Sequence, residues 1–153
     1  MIMVPSIVRP RSRSRLRLTG PNPLDPIEIH ANVFGNPGDL KGLTTAIELC
    51  RDIAGSEIFR PFLKREIAPG SLKGSALEQI LRNSVSTIWH QSCTAKMGRD
   101  PMSVVDSHLK VYGIDNLRIA DGSIMPRIST GNTMAPCVII GERCAEILKA
   151  DHL

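Results

Sequence analysis

Apolar positions in this chain change their spacing several times, and each change marks an element. Leu40, Leu43, Ala46, Ile47, Cys50 and Ile53 recur at three and four residues, the spacing of one helix face. The run Asn36-Pro37-Gly38-Asp39 precedes them as a start signal, and Gly55 follows as a stop. A short helical turn is predicted around Ile58 to Leu63, and Pro69-Gly70 breaks the chain. A second helix is predicted through Leu77, Ile80, Leu81 and Val85, with Ser75 as its cap and Glu78 completing a capping box. A third runs from about Thr133 to Lys149, with Pro136 tolerated in its first turn.

Elsewhere the pattern is that of strands. Met1 to Val8 is apolar and β-branched and Arg13 to Leu18 alternates, so with Pro10 between them two strands joined by a turn are predicted. Gly20 to Asp25 is rich in turn formers and reads as a loop, and Ile27 to Val33 as a short extended segment. Leu109 to Tyr112 and Leu117 to Ala120 read as short strands around a Gly113–Asn116 turn. Ser86 to Gly98 is neither strongly helical nor strongly alternating, and no internal repeat or low-complexity tract is present.

Composition narrows the classes. The chain has 153 residues, 42% hydrophobic and 22% charged, which fits a folded chain about one domain long. Aromatic residues make up only 3%, thin for a nucleic-acid reader that stacks bases on rings. The net charge of +4 is mostly local, because Arg9, Arg11, Arg13, Arg15 and Arg17 alternate along one segment. That run reads either as a basic patch or as a strand with one solvated arginine face, and its period favours the strand. Cys50, Cys93, Cys137 and Cys144 lack the two-residue spacing of a zinc or redox motif and sit among apolar or small residues. No disulfide is expected, which favours a reducing compartment. Met1 to Val8 is too short for a secretory leader, and Ala135 to Ile140 is too short to span a bilayer. The expectation is a cytoplasmic protein, with neither membrane nor nucleic acid as partner.

Few residues carry candidate chemistry. His90 follows Trp89, and histidine is the natural base near neutral pH. A lone histidine beside an aromatic is equally the pattern of a packed core residue, and spacing alone favours that. Asn132 stands just before the third helix, either as a helix-entry residue or as an amide able to hold a reacting oxygen. Asp121-Gly122-Ser123 follows a predicted strand, and such a small-residue turn lets backbone N–H groups approach a ligand. His30, His108 and His152 have no partners at ligand spacing, so no metal site is expected.

Taken together these segments resemble one family, the glucose–methanol–choline (GMC) oxidoreductases, in its C-terminal portion. The run Trp89 to Gly98 carries the likeness, with Val104-Val105-Asp106, Val111-Tyr112-Gly113, Leu117 to Pro126 (LRIADGSIMP) and Thr130 to Pro136. Pro5 to Pro10, Ser12-Arg13, Pro23 to Ile27 and Glu66 to Gly70 add weaker matches. The resemblance implies an α+β fold: antiparallel substrate-domain strands with flanking helices, plus a terminal strand and helix that would pack on an FAD-binding domain. It implies substrate-domain elements over residues 1–85, and an active-site segment with an FAD-contacting strand and helix over 86–153. His90 matches the family's active-site histidine, which takes the alcohol's proton while hydride leaves for flavin N5. Asn132 matches a second active-site position, where an asparagine orients the substrate oxygen but cannot act as a base. Asp121 and Gly122 match the turn at the flavin's phosphate–ribityl region, Thr133 and Met134 its pyrimidine edge, and Trp89 a position beside the flavin. Cys93 stands where many members carry glycine, and no loss of function is expected from it.

The family's glycine-rich dinucleotide fingerprint is not found, since Gly35-Asn36-Pro37-Gly38 has the wrong spacing and a proline. Met1 therefore falls inside the parent architecture. The N-terminal FAD-binding part is expected as a missing domain or a partner chain, and the 153 residues alone are expected to be inactive, with apolar surface exposed on the last helix. The function implied is oxidation of the CH–OH group of a small-molecule alcohol, with FAD as cofactor. The alternatives are a related lyase or cyclase whose flavin is not turned over, and an inactive fragment that serves as an interaction module.

Overall fold

The computed structural model describes residues 1–152, in two compact units, Met1–Ser86 and Thr87 onward. The architecture is α+β: one two-stranded antiparallel hairpin and three helices.

In the first unit, β1 (Arg15–Leu18) pairs with β2 (Ile27–His30) in the register Arg15↔His30, Leu16↔Ile29, Arg17↔Glu28, Leu18↔Ile27. One face of the hairpin thus carries Arg15, Arg17, Glu28 and His30, and the other Leu16, Leu18, Ile27 and Ile29. The alternating arginines are a strand face where β1 exists, as their period predicts. The pairing partner differs from expectation, because Met1 to Val8 forms no strand. Pro5 and Pro10 cannot donate to a ladder. The alternation there reflects packing instead: Met3, Pro5 and Ile7 are half-buried, and Ile7 lies on the helical core.

Helix α1 (Pro37–Ala54) starts where its signal predicts, with the Asn36 side chain accepting from Gly38 N–H at 2.9 Å. Its inward stripe of Leu40, Leu43 and Ile47 meets Leu77 and Leu81 of α2 (Gly74–Ser84), with Phe34 and Leu72 at the margin. The capping box at Ser75 does not form. The cap position is Lys73 with no side-chain bond, and Gly74 at φ 55° turns the chain into the helix one residue before Ser75.

Asp39 anchors the preceding segment to α1. Its carboxylate, 5% exposed, accepts from Arg11 N–H at 2.8 Å and from Ser12 N–H at 2.7 Å, and also from the Ser12 hydroxyl. Burial pushes this carboxyl up, but the Arg11 and Ser12 donors with the Arg11 charge outweigh burial and hold it below the usual range. Arg51 plays the matching part at the other end of α1. It pairs with Glu66 and donates to the carbonyls of Gly70 and Leu72, at 2.7 and 3.0 Å.

The second unit is built on Val105, fully buried, with Leu109, Ile124 and Ile147. Helix α3 (Met134–His152) turns Cys144, Ile140 and Ile147 inward. The predicted strands at 109–112 and 117–120 are reduced to isolated antiparallel bridges, Val105↔Val111 and Lys110↔Arg118. The reason lies at Asp106, whose carboxylate accepts from the N–H groups of His108 and Lys110 at 2.8 and 2.9 Å. That turn places Leu109 at φ 66°, which no regular strand contains.

Candidate active site

The second unit brings three loop-rich segments together. Cys93, Ala95 and Met97 donate their backbone N–H groups to the carbonyls of Gly122, Ser123 and Ile124, at 3.2, 2.9 and 2.7 Å. A 3₁₀ turn spans Gly122–Ile124, so every second residue from Cys93 to Met97 meets three successive carbonyls of one tight turn. Gly122 then meets α3: a Cβ built on it would stand 3.1 Å from Cys137 Sγ. A bare backbone at 122 is what lets the turn seat on the helix. The 93–97 stretch, the Gly122 turn and the first turn of α3 at Cys137 therefore meet, while His90, three residues before Cys93, lies within about 11 Å of it along the chain.

Local geometry aims the individual groups. Trp89 has φ 58°, in the left-handed region, and the residue is 81% exposed. Its N–H donates to Thr87 Oγ1 at 2.8 Å, and Gln91 Nε2 donates to the same oxygen at 3.2 Å. His90 is half-buried between the exposed Trp89 and Gln91. Asp121 caps its turn by accepting from Ser123 N–H at 2.7 Å. The Ser123 hydroxyl and N–H hold the Asp121 carboxyl below its usual range, against a smaller upward push from burial.

Asn132 is exposed and Thr133 half-buried at the entry to α3, where Cys137 N–H donates to Thr133 O at 3.0 Å and closes the first turn. Met134, the first helical residue, is 74% exposed. Sequence reasoning did not single out Cys137 or Thr87. Cys137 reads as an ordinary small apolar residue, and the two-residue spacing of Thr87 and Trp89 is the one signal of their turn. Among the described residues no group of three or more His, Cys, Asp or Glu side chains is arranged to hold a metal ion, and no helix is long and apolar enough to cross a membrane.

Comparison with known proteins bears on the family and the fold. The family model described as GMC oxidoreductase, for the C-terminal region, matches residues 10–141. Choline dehydrogenase of Mus musculus, a mitochondrial protein, is 39% identical over 146 residues, covering 93% of this chain and 24% of the relative. Alcohol dehydrogenase [acceptor] of Pseudomonas putida is 40% identical over 141 residues, covering 91% of this chain and 26% of the relative. Among solved structures, an FAD-dependent oxidoreductase from Chaetomium thermophilum superposes with a TM-score of 0.87 at 33% identity, over 94% of this chain and 26% of that one. The fold and the converging segments define a C-terminal oxidoreductase portion, spanning about a quarter of the length of the curated relatives it matches. The chain belongs to the GMC oxidoreductase family.

Proposed function

We propose that this chain supplies the substrate-facing side of an FAD-dependent oxidoreductase acting on CH–OH groups, with the dinucleotide held mainly by an N-terminal part, as a domain or a partner chain. The observation that carries the reading is the convergence of the 93–97 stretch, the Gly122 turn and the first turn of α3. The residues present fit the cofactor. First-turn N–H groups of a helix have no intrahelical acceptor, so Thr133 and Met134 offer donors to a polar ring edge. Asp121, an ionised acceptor, suits the hydroxyls of a ribityl chain, and Gly122 bares its backbone beside it. The exposed indole of Trp89 offers a flat apolar surface.

A bound FAD supplies the acceptor for the hydride that leaves the alcohol carbon. The chain's own part is the proton and the geometry. The His90 imidazole takes the hydroxyl proton, so that the C–O bond gains electron density as C–H breaks. The Asn132 side chain donates to the substrate oxygen and orients it, and having no basic nitrogen it leaves the proton to His90. The positive end of α3 favours negative charge near Thr133.

The test is reconstitution with an N-terminal FAD-binding half, in which an alcohol substrate bleaches the flavin. His90→Ala should then lower kcat/KM about a thousandfold, within the roughly 10²–10⁴ that a general base supplies. Equal activity of this variant would remove His90 as the base. Aldehyde release from a cyanohydrin without bleaching would replace oxidation with lyase chemistry.

A further inference from the structure

One hydroxyl oxygen ties together the loop that carries the imidazole. Thr87 Oγ1 accepts from Trp89 N–H at 2.8 Å and from Gln91 Nε2 at 3.2 Å, one bond on each side of His90. The first bond closes a side-chain turn, and Trp89 within it has φ 58°. A bulky residue leaves that region for extended backbone when nothing holds it. Such a rotation at Trp89 would redirect the bond that sets out the next side chain, which is the imidazole.

Packing gives the loop little other support. Ile88 is 48% exposed and Trp89 81% exposed, so the hydrogen bonds decide its path. Downstream the chain is fixed by Cys93 N–H on the Gly122 carbonyl, at 3.2 Å. Upstream, the matching hold is at Thr87.

We propose that Thr87 is a positioning residue for His90, its hydroxyl oxygen keeping residues 87–91 on the backbone path that sets the direction of the imidazole. This rests on the reading of His90 as the base, and it adds a residue that touches neither substrate nor cofactor. Thr87 is itself exposed, so substitution there disturbs no core packing.

The experiment compares Thr87→Val, which keeps the shape and removes the oxygen, with Thr87→Ser, which restores the oxygen. Trp89 is the single tryptophan of the chain, so its fluorescence anisotropy reports this loop alone. In the full chain, Thr87→Val should raise hydrogen exchange at the Trp89 amide at least tenfold, lower the anisotropy and shift the His90 imidazole resonances in NMR. Thr87→Ser should return all three. In the reconstituted oxidoreductase Thr87→Val should lower kcat about ten- to a hundredfold with KM nearly unchanged, and Thr87→Ser should restore it. Unchanged exchange in Thr87→Val, or Thr87→Ser behaving like Thr87→Val, overturns the proposal. A loosened loop with unmoved His90 imidazole resonances and full activity overturns it too. If His90→Ala costs nothing while the loop and the imidazole resonances respond as stated, the base assignment fails and the hold on the loop stands.

Discussion

At the scale of single residues, the site depends on backbone positions that most side chains avoid. Cys93 has φ 71°, and the same residue donates the N–H that joins its segment to the Gly122 turn. Holding a residue with a Cβ in the left-handed region costs on the order of 1–3 kcal/mol unless its surroundings compensate. This explains why the resemblance sets glycine at the position in many relatives, and why a small side chain is tolerated here. Cys93→Gly should therefore fold with unchanged or slightly raised stability. Cys93→Val adds a β-branched side chain at positive φ and should lose about 1–3 kcal/mol. Thermal unfolding of both variants checks this. Equal stabilities would mean that the conformation at 93 places no demand on the side chain.

At the scale of elements, α1 shows how much a carboxylate can organise. Asp39 sits in the helix's first turn, where its charge also suits the helix dipole, and it gathers the N–H groups of Arg11 and Ser12. Its carboxyl is held below the usual carboxylate range, so the folded state prefers the ionised form. The sign follows: the stabilisation is complete above the unfolded carboxyl's range and is lost as pH falls through the lower folded value. Asp39→Asn puts an NH2 group among donors and should cost about 1–3 kcal/mol at neutral pH. It should also flatten the decline in stability expected of the parent chain below about pH 4. Urea unfolding at pH 7 and pH 3 separates the two effects, and an equal loss at both would discount the carboxylate's charge.

The elements legible in the sequence were those fixed by local rules. Helix α1 announces itself through Asn36, Pro37 and the Leu40–Leu43–Ile47 stripe, and α3 through Pro136 and its inward stripe. Long-range pairing and turn chemistry were not legible. Nothing near Arg15 says that Ile27–His30 is its partner, and the prolines of the first ten residues disqualify the nearer candidate only through missing donors. Alternation at 109–112 suggests a strand, while the Asp106 turn, a side-chain effect, bends the chain at Leu109. The candidate site was named residue by residue from the resemblance. Its assembly, through three backbone bonds to a 3₁₀ turn and a glycine pressed on a cysteine, has no periodic signature.

At the scale of the whole molecule, apolar surface and the missing fingerprint bear on the same question. Met134, Val138 and Ile139 on α3 are 74%, 52% and 67% exposed, while the first turns of that helix are apolar on nearly every side. A helix apolar all round belongs inside a larger core. The chain spans about a quarter of its curated relatives, and the proposed FAD-binding part is the natural cover for this face. Two measurements follow from that account. The chain alone should bind a hydrophobic dye and take up no stoichiometric FAD. Mixed with an N-terminal FAD-binding half it should lose the dye signal and retain the flavin. A Val138→Lys, Ile139→Lys variant should show less dye binding by itself, because both positions are exposed, and should fail to assemble. Since neither position carries candidate chemistry, assembly of this variant at parental affinity would show that the exposed face of α3 is not where the two halves meet.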